Sequence, residues 1–578
     1  MQVGFMMLEA GTVRNKNVVT LIFKNLWDIC IAIIGFFLVG FAFAFGETQG
    51  CVIGASNFAL SEMWVGGKTE GVSNFTFWFF EVAFAGTATT IVSGSTCERM
   101  KLESYFAISL IISTIIYPLT AHWVWGHGFL STQACPDEVG GYHPIFSRSE
   151  RSNGVIDLAG STVVHTVGGF CGLVGAVMLG PSIGRFAPLT GEVLPMPPHS
   201  YILVALGSMI IWVCFFTFNC GSLVQIAGRG DLAGKILANT SVSAALSCIT
   251  CTFLSLYFDH TSDMLLFEKE YEALRVQNSL VNAEAVGHRR AFKVAHSFNS
   301  LIGGLVAVTA SCSVVSPWKA CVIWATAGAV YYLSSKLLLR LRVDDPIDAF
   351  PVHGACSVWG CLAVGIFCTD EEVQYAGYPH VNDACTRGEQ FGVQLVGALV
   401  VTAWTCVTSF GLYFCLHCFN MFRVPSTAEI AGMDMVDHAA EAYKLETDHD
   451  EIGGDIFQEQ KRLASMDVQD RQDRVFGTGA KPSRGRGGNH AALGAATGVQ
   501  GENGSRDGKL SLRGGSPAKP VSGGSVHNLN GDTTNGDYLL QLGFAGTSGN
   551  SDSSEHREQQ PAAYSSRPPG AFLGKENG

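Results

Sequence analysis

Two histidines, His165 and His353, each lie deep inside a long apolar segment, far from any loop that would hydrate an imidazole. An ionisable side chain within a membrane-spanning segment is costly and is by default a functional hypothesis. Both histidines belong to glycine-rich stretches, Asp157–Gly180 and Asp348–Phe367, and small residues let helices approach closely. The pair therefore predicts a narrow pathway for a small, protonatable solute.

An acidic residue accompanies the first histidine. Asp157, Ser161 and His165 recur every four positions, which on one helix gives a polar stripe about 12 Å long. An acid at the beginning of a helix also interacts favourably with the free backbone N–H groups there. Both a functional and a structural role stay open for Asp157.

The elements that position these residues must be membrane spans. Only 15% of the 578 residues are charged, 47% are hydrophobic and 67 are glycine, and the mean hydropathy is +0.25. This composition is typical of an all-α polytopic membrane protein. The net charge of −12 arises in loops and tail, so it gives no argument for a nucleic-acid partner.

Ten segments reach the length of about 20 apolar residues that crosses a bilayer. They are Leu26–Phe45, Phe75–Thr96, Ser104–Trp125, Asp157–Leu179, Tyr201–Asn219, Ile236–Phe258, Phe298–Val315, Trp318–Leu339, Ile347–Phe367 and Phe391–Phe419. Met1–Gly11 is apolar but only about half that length, and we expect it to be a truncated first span.

Orientation follows from lysine and arginine, which favour the cytoplasmic side of short loops. They recur in every second connection, at Arg14, Lys16, Lys24, Arg99, Lys101, Arg185, Lys336, Arg340, Arg342 and Arg423. The pattern predicts an outer N-terminus and a cytoplasmic C-terminus. Basic residues in the other connections make the bias partial; they are Arg148, Arg151, Arg229 and Lys235.

The chain divides into three predicted regions. Residues 1–420 form the membrane domain, with a charged cytoplasmic insertion at about 259–295 that suits either a short amphipathic helix or a solvated loop. Residues 421–445 form a cytoplasmic segment after the last span, to which the family resemblance given below assigns a regulatory role. Residues 446–578 are rich in Gly, Ser and Asn, and such a tail cannot bury enough apolar surface to fold.

Most of the 18 cysteines lie in apolar segments, where a free thiol behaves as a small hydrophobic group. Four lie in predicted loops, namely Cys51, Cys135, Cys368 and Cys385. These four are candidates for one extracellular disulfide, and the sequence leaves its pairing open.

Several long motifs resemble the ammonium transporter family (Amt/Mep/Rh). Gly4–Asn17, Asp157–His165 and Asp344–Gly354 are similar to its signature stretches, and Ala431–His438 is similar to its cytoplasmic C-terminal segment. The resemblance covers nearly all of residues 1–445. It is closer to the ammonium transporters proper than to the Rhesus branch.

The resemblance implies eleven transmembrane helices, arranged as two inverted five-helix repeats plus a last long helix, in a homotrimer of the plasma membrane without a cofactor. It also implies a role for seven residues. Trp125 and Ser222 would form an outer recruitment site, Phe84 and Phe218 a stacked gate, His165 and His353 the paired pore imidazoles, and Asp157 the acid supporting recruitment.

The chemistry of these residue types suits ammonium. A cation over a tryptophan face gains roughly 0.5–2 kcal/mol, and a serine hydroxyl accepts an N–H that potassium lacks. Without the resemblance, Phe84 and Phe218 would be interpreted as packing residues, and Trp125 as an anchor at the membrane interface.

Two other hypotheses stay open. The chain could be an ammonium sensor or an inactive subunit of a mixed trimer, because its first span is short and Glu81 stands where the family typically has glutamine. That carboxyl group would attract ammonium, alter selectivity or, if buried, stay protonated. A membrane enzyme or metal protein is disfavoured, because the two histidines lack a third ligand at zinc-like spacing.

Overall fold

The structure is a computed structural model that describes residues 1–69, 72–132, 154–277, 293–378 and 383–443, with side chains up to Asp259 in the third range. Within these ranges the chain is almost entirely helical. The α-helices are α1 (Gln2–Thr12), α2 (Val18–Gly35), α3 (Phe41–Phe45), α4 (Asn74–Thr96), α5 (Leu102–Ile111), α6 (Tyr117–Val124), α7 (Val167–Leu179), α8 (Tyr201–Gly221), α9 (Gly230–Gln277), α10 (Val294–Val308), α11 (Pro317–Arg340), α12 (Cys356–Phe367), α13 (Asp370–Ala376), α14 (Glu389–Cys418), α15 (Ser426–Ala431) and α16 (Met433–His438).

Nine helices in the described part of the chain are long and apolar enough to cross a membrane. They correspond to nine of the ten predicted spans and comprise α2–α3, α4, α5–α6, α7, α8, α9, α11, α12 and α14 with their adjoining turns. The all-α polytopic class is therefore confirmed. Helix α1 has 11 residues, against 21 in α8, on which it packs.

The remaining predicted span, Phe298–Val315, was predicted too long. Helix α10 ends at Val308, and the buried chain beyond it forms turns. Side chains of α9 satisfy the carbonyl groups there, since Asn239 donates to the Cys312 and Val315 carbonyls and Lys235 donates to the Ser313 carbonyl. Non-helical backbone is tolerated inside a membrane protein where other groups complete its hydrogen bonds.

Short π-helical turns interrupt four of the spans. They cover Phe36–Gly40, Ile112–Ile116, Ser161–Thr166 and Phe350–Ala355. Two lie beside or contain a proline, Pro118 and Pro351, which cannot donate a backbone hydrogen bond. Single π-helical turns are frequent at functional sites.

The same packing pattern occurs twice. Helix α2 packs on α4 and α5, as α9 packs on α10 and α11, and α4 packs on α7 as α10 packs on α12. Helix α14 lies against both α7 and α12. This repetition agrees with two five-helix repeats followed by one long helix, as predicted.

Two small antiparallel hairpins and a disulfide lie in the connections. The strands are β1 (Thr48–Gln49), β2 (Ile53–Gly54), β3 (Lys68–Thr69) and β4 (Val72–Ser73), pairing β1 with β2 and β3 with β4. Cys368 is bonded to Cys385, and Cys51 is also disulfide-bonded. Three of the four candidate loop cysteines are therefore in disulfides; the fourth, Cys135, lies outside the described residues.

The segment after α14 folds back onto the beginning of α2. The Asp434 carboxylate accepts hydrogen bonds from the backbone N–H groups of Val19 and Thr20 at 3.0 and 2.8 Å, a favourable arrangement at a helix N-terminus. Lys16 donates to the Glu429 carbonyl at 2.8 Å.

Two other predicted segments are described only in part or not at all. Helix α9 extends to Gln277, so the backbone of the predicted insertion is helical up to there. Residues 278–292 and the predicted tail, 446–578, lie outside the described residues.

A candidate pore lined by aromatic residues and two histidines

A cavity of about 330 Å³ lies between α4, α6 and the end of α8. Its wall includes Phe84, Trp125, Ser222 and Asp157. The structure therefore brings together four of the predicted site residues, although they are up to 138 residues apart in the chain. Glu81 lines the same cavity.

Two of the predicted site residues in the cavity wall, Trp125 and Ser222, offer a ligand an aromatic face and a hydroxyl group. The indole N–H of Trp125 donates to the Asp157 carbonyl at 2.7 Å, which holds the ring in place. The Ser222 hydroxyl donates to the Phe218 carbonyl at 2.8 Å. Because a hydroxyl oxygen also has two lone pairs, Ser222 keeps the capacity to accept a hydrogen bond.

A line of five rings continues from the cavity into the core. Phe84 lies 5.7 Å from Trp125 and 4.4 Å from Phe218, measured between ring centroids. His165 follows 5.8 Å from Phe218, and His353 lies 5.2 Å from His165. All of these rings except Trp125 are buried, so the two phenylalanines close the cavity on its histidine side.

The two imidazoles contact each other directly. Nδ1 of His165 lies 3.1 Å from Nδ1 of His353, and the rings are nearly parallel at 19°. A hydrogen bond between two ring nitrogens requires one N–H and one lone pair, so only one of the two Nδ1 atoms carries a proton. Nε2 of His165 is buried without a hydrogen-bond partner among the described residues.

Both histidines lie in π-helical turns, Ser161–Thr166 and Phe350–Ala355. The two segments cross at glycine, because a Cβ atom on Gly169 would lie 2.3 Å from the backbone nitrogen of Gly354. The close approach that the glycine-rich stretches predicted is therefore observed next to the imidazoles.

Asp157 does not belong to a helical stripe, contrary to one interpretation of its spacing. The helical segment begins at Ser161, after Gly160 in a left-handed conformation with φ of 89°. The Asp157 carboxylate accepts four backbone N–H groups of this first turn, from residues 160–163, at 2.6–3.1 Å. These bonds satisfy N–H groups that a helix start otherwise leaves free, as the structural interpretation proposed.

Three further aromatic residues belong to the site. Phe80 packs 4.7 Å from Phe84, Phe215 stacks 5.7 Å from His165 at 17°, and Phe5 lies 5.8 Å from His353. Helical spacing could have indicated Phe215, three residues before Phe218. Phe5 lies within the Gly4–Asn17 motif, but the motif does not indicate its contact with His353, because that contact joins two distant segments.

In the ranges that the structure describes, no group of three or more His, Cys, Asp or Glu side chains could hold a metal ion.

Comparisons with known proteins agree with this geometry. The sequence profile of the Ammonium Transporter Family matches residues 1–267 and 280–443. Ammonium transporter Amt2 of Archaeoglobus fulgidus is 34% identical over 446 residues, covering 77% of this chain and 85% of that protein. Ammonium transporter 1 member 2 of Arabidopsis thaliana is 33% identical over 459 residues, covering 77% and 80%. These relatives are transporters rather than enzymes.

Solved structures give the same fold. A structure described as a sensor Amt protein superposes with a TM-score of 0.62 at 27% identity, covering 76% of this chain and 94% of its own. Mep2 of Saccharomyces cerevisiae has a TM-score of 0.59 at 23% identity, covering 73% and 84%. The fold, the buried histidine pair and the match over most of its length place this chain in the ammonium transporter family.

Proposed function

We propose that this chain transports ammonium by binding the cation at Trp125 and Ser222, removing a proton, and passing ammonia between Phe84 and Phe218 to the histidine pair. The observation that carries the proposal is the buried contact of 3.1 Å between His165 and His353, which continues an aromatic line from the cavity.

Recruitment uses two kinds of contact. The Trp125 face attracts a cation by roughly 0.5–2 kcal/mol, and its ring is held by the hydrogen bond to Asp157. The Ser222 oxygen accepts an N–H from the ligand. Potassium gains from the ring alone, so the hydroxyl favours ammonium.

Deprotonation, with the proton passing to water in the cavity, becomes the easier route at the phenylalanine gate wherever moving the charge inward costs more than losing the proton. Phe84 and Phe218 offer no hydrogen bond to a cation, and moving a charge into a membrane interior costs at least about 2.5–3.5 kcal/mol. Losing a proton costs about 1.4 kcal/mol for each unit by which the pH lies below the pKa of ammonium. Neutral ammonia then passes the two phenylalanine rings without the cost of moving a charge into the membrane interior.

Beyond the gate, the histidine pair suits ammonia. Neutral ammonia has N–H donors and one lone pair, and each neutral imidazole has one donor and one acceptor nitrogen. The buried Nε2 of His165, which has no partner within the described ranges, offers a position for such a hydrogen bond.

We further propose a homotrimer with one pore per subunit in the plasma membrane, as the family resemblance implies. The N-terminus would lie outside and the C-terminus in the cytoplasm, since lysine and arginine favour cytoplasmic loops. The cavity would then face the outside.

Uptake by ammonium-uptake-deficient cells that express the full chain tests the proposal. His165→Ala and His353→Ala should each abolish or strongly reduce uptake, because either variant breaks the imidazole pair. His417→Ala, which changes an exposed histidine of α14, is the matched control and should behave as wild type. Wild-type uptake in both pore variants, at equal surface expression, would contradict the proposal.

A second function, ammonium sensing, is favoured by the likeness to the sensor Amt protein at 27% identity. It predicts binding of ammonium without uptake, together with an ammonium-dependent cellular response that His165→Ala removes. A chain that reaches the membrane and carries ammonium at a substantial rate would exclude a purely sensing role.

A further inference from the structure

His296 is a half-buried histidine that the proposed pathway does not use. It lies in the first turn of α10, and its Nδ1 atom is buried with no hydrogen-bond partner within the described residues. Its ring meets the Tyr331 ring of α11 edge to face, with the centroids 6.2 Å apart at 82°. Cys251 of α9 donates to its backbone carbonyl at 3.7 Å. Two neighbouring helices therefore hold this histidine in place.

The Tyr331 hydroxyl joins this histidine to the segment that carries His353. It donates to Oδ2 of Asp348 at 2.7 Å, and the hydroxyl of Ser335, one turn later on α11, donates to both carboxylate oxygens at 3.0 and 3.1 Å. Asp348 is also the charged group that acts most strongly on the His296 imidazole. The imidazole and the two hydroxyl groups therefore all act on one carboxylate.

That carboxylate supports the turn that precedes His353. Asp348 has a left-handed backbone with φ of 56°, a conformation that is unfavourable for a residue other than glycine. Its carbonyl accepts the Val352 N–H at 3.0 Å, and the π-helical turn Phe350–Ala355 that follows contains His353. The bonds from the two hydroxyl groups hold the Asp348 side chain in this turn. Their loss would displace the segment that places the His353 ring against His165.

The other charged groups that act on His296 do not take the place of Asp348. Asp259 of α9 and Lys336 of α11 form an ion pair at 2.7 Å, so their effects on the imidazole oppose each other. Lys293, three residues before His296, disfavours a second positive charge there. A protonated His296 would therefore be attracted to the Asp348 carboxylate.

We propose that His296 is a positioning residue that makes transport sensitive to pH through Asp348. Burial disfavours the charged imidazole, so the ring is neutral near pH 7 and takes up a proton as the pH falls. Both ring nitrogens of the charged form are donors, and the charge attracts the Asp348 carboxylate away from the two hydroxyl groups. The turn before His353 then loses its support, and transport slows. This role rests on the proposed function and adds a control to it.

The test compares ammonium uptake by liposomes that contain the purified full chain or its variant His296→Gln, from about pH 7.5 to 5 on both sides, a range that spans imidazole titration. Glutamine is polar but does not titrate. On acidification, uptake by the wild type should fall by at least about fivefold relative to His296→Gln, since coupling between two sites typically begins at that size. Because burial raises the pKa of Asp345 to about 7, Asp345 also gains a proton in this range. The ratio between the two proteins removes its effect, because Asp345 is the same in both.

Two further variants sharpen the comparison. His417→Gln changes an exposed histidine in the last turn of α14, and its uptake should follow the wild-type pH profile. Tyr331→Phe keeps the ring beside His296 but removes a hydroxyl that supports Asp348. Its uptake should already be reduced at pH 7.5 and should fall less on acidification.

A measurement without transport tests the contact itself. Thermal melting of His296→Gln, Asp348→Asn and the double variant gives the coupling between the two side chains, as the departure of the double variant from the sum of the single ones. Asparagine also tolerates the left-handed conformation of residue 348. The coupling should be larger at pH 5 than at pH 7.5, because only the protonated imidazole attracts the carboxylate strongly.

Identical pH profiles of uptake in the wild type and His296→Gln would overturn the role of His296 and leave transport in place. A coupling between His296 and Asp348 that grows on acidification, in a chain that carries no ammonium, would support the contact and contradict transport. If His296→Gln does not fold, Tyr331→Phe decides, because wild-type uptake in that variant at both pH values would exclude support of the turn by this hydroxyl.

Discussion

The two segments that carry the histidines have the same spacing but hold their acids differently. Asp157 precedes His165 by eight residues, as Asp345 precedes His353. Three residues after each acid the backbone is left-handed, with φ of 89° at Gly160 and 56° at Asp348. A π-helical turn then presents the histidine in both segments.

The hydrogen bonds of the two acids differ. The Asp157 carboxylate accepts four backbone N–H groups, from residues 160–163. Asp345 accepts from the Phe350 N–H at 2.7 Å through Oδ2, while its buried Oδ1 has no partner in the described part of the chain. Burial, with the nearby Asp348, raises the pKa of Asp345 to about 7.

Equal spacing therefore gives both segments the same left-handed turn, but it does not give the two carboxyl groups the same hydrogen-bond partners. Burial disfavours the ionised form of a carboxyl group and backbone N–H donors oppose that effect, and Asp345 receives fewer such donors than Asp157. In the second segment Asp348 replaces the glycine, and the Tyr331 and Ser335 hydroxyls bind its carboxylate at 2.7–3.1 Å. Those bonds offset the cost of a left-handed residue.

The largest expected effect separates the acids directly. Asp157→Asn replaces an oxygen that accepts two N–H groups with an amide nitrogen that cannot accept them. Leaving two buried donors unpaired costs roughly 2–6 kcal/mol, so the melting temperature and uptake should both fall sharply. Asp345→Asn should lose much less, because the asparagine oxygen can still accept the Phe350 N–H. Equal losses in thermal melting of the two purified variants would show that the acids are equivalent.

The glycine position should give an intermediate effect. Gly160→Ala forces an alanine into a left-handed conformation at about 1–2 kcal/mol, and its Cβ would lie 2.5 Å from Cγ2 of Val164. Gly388→Ala is the matched control, since Gly388 has φ of 73° but no other atom lies within 4 Å of the position that an added Cβ would take. Thermal melting should show a larger loss for Gly160→Ala; equal losses would assign the whole effect to backbone conformation.

The smallest expected effect is the change in the free energy of unfolding over one pH unit. In the folded protein the pKa of Asp345 is about 7, above the usual 3.8. Asp345 therefore contributes most to the free energy of unfolding at low pH, and this contribution is lost as the pH rises towards 7. The slope between about pH 4 and 7 should be at most about 1.4 kcal/mol per pH unit.

Asp345→Asn removes that slope, so the stability difference between variant and wild type should grow up to about pH 7 and then level off. Melting temperatures of both proteins across this range measure the difference. A constant difference would mean that Asp345 does not titrate there.

The membrane spans could be predicted because a long run of apolar residues indicates a helix that crosses the bilayer. Apolar length predicted nine spans that the structure confirms, because a bilayer requires helices of that length. It placed the starts of two spans too early, at Asp157 and Ile347, where the helical segments begin at Ser161 and Phe350. Hydropathy does not locate these helix starts, because it does not detect an acidic side chain that binds the free N–H groups of the first helical turn.

Local patterns also failed where distant groups complete a turn. The end of α10 at Val308 depends on Asn239 and Lys235 of α9, which bind the carbonyls that follow it. The apolar run itself continues past that point. Its termination was therefore invisible without the packing of α9 against α10.

The sequence by itself determined the membrane class, the family resemblance and the two segments that present histidines, because apolar length and local spacing are properties of short stretches. Only the tertiary structure decided that His165 and His353, 188 residues apart, share a hydrogen bond, and that Glu81 faces the same cavity as Trp125. Such contacts depend on how helices pack, and helix packing is set by side chains from several segments at once.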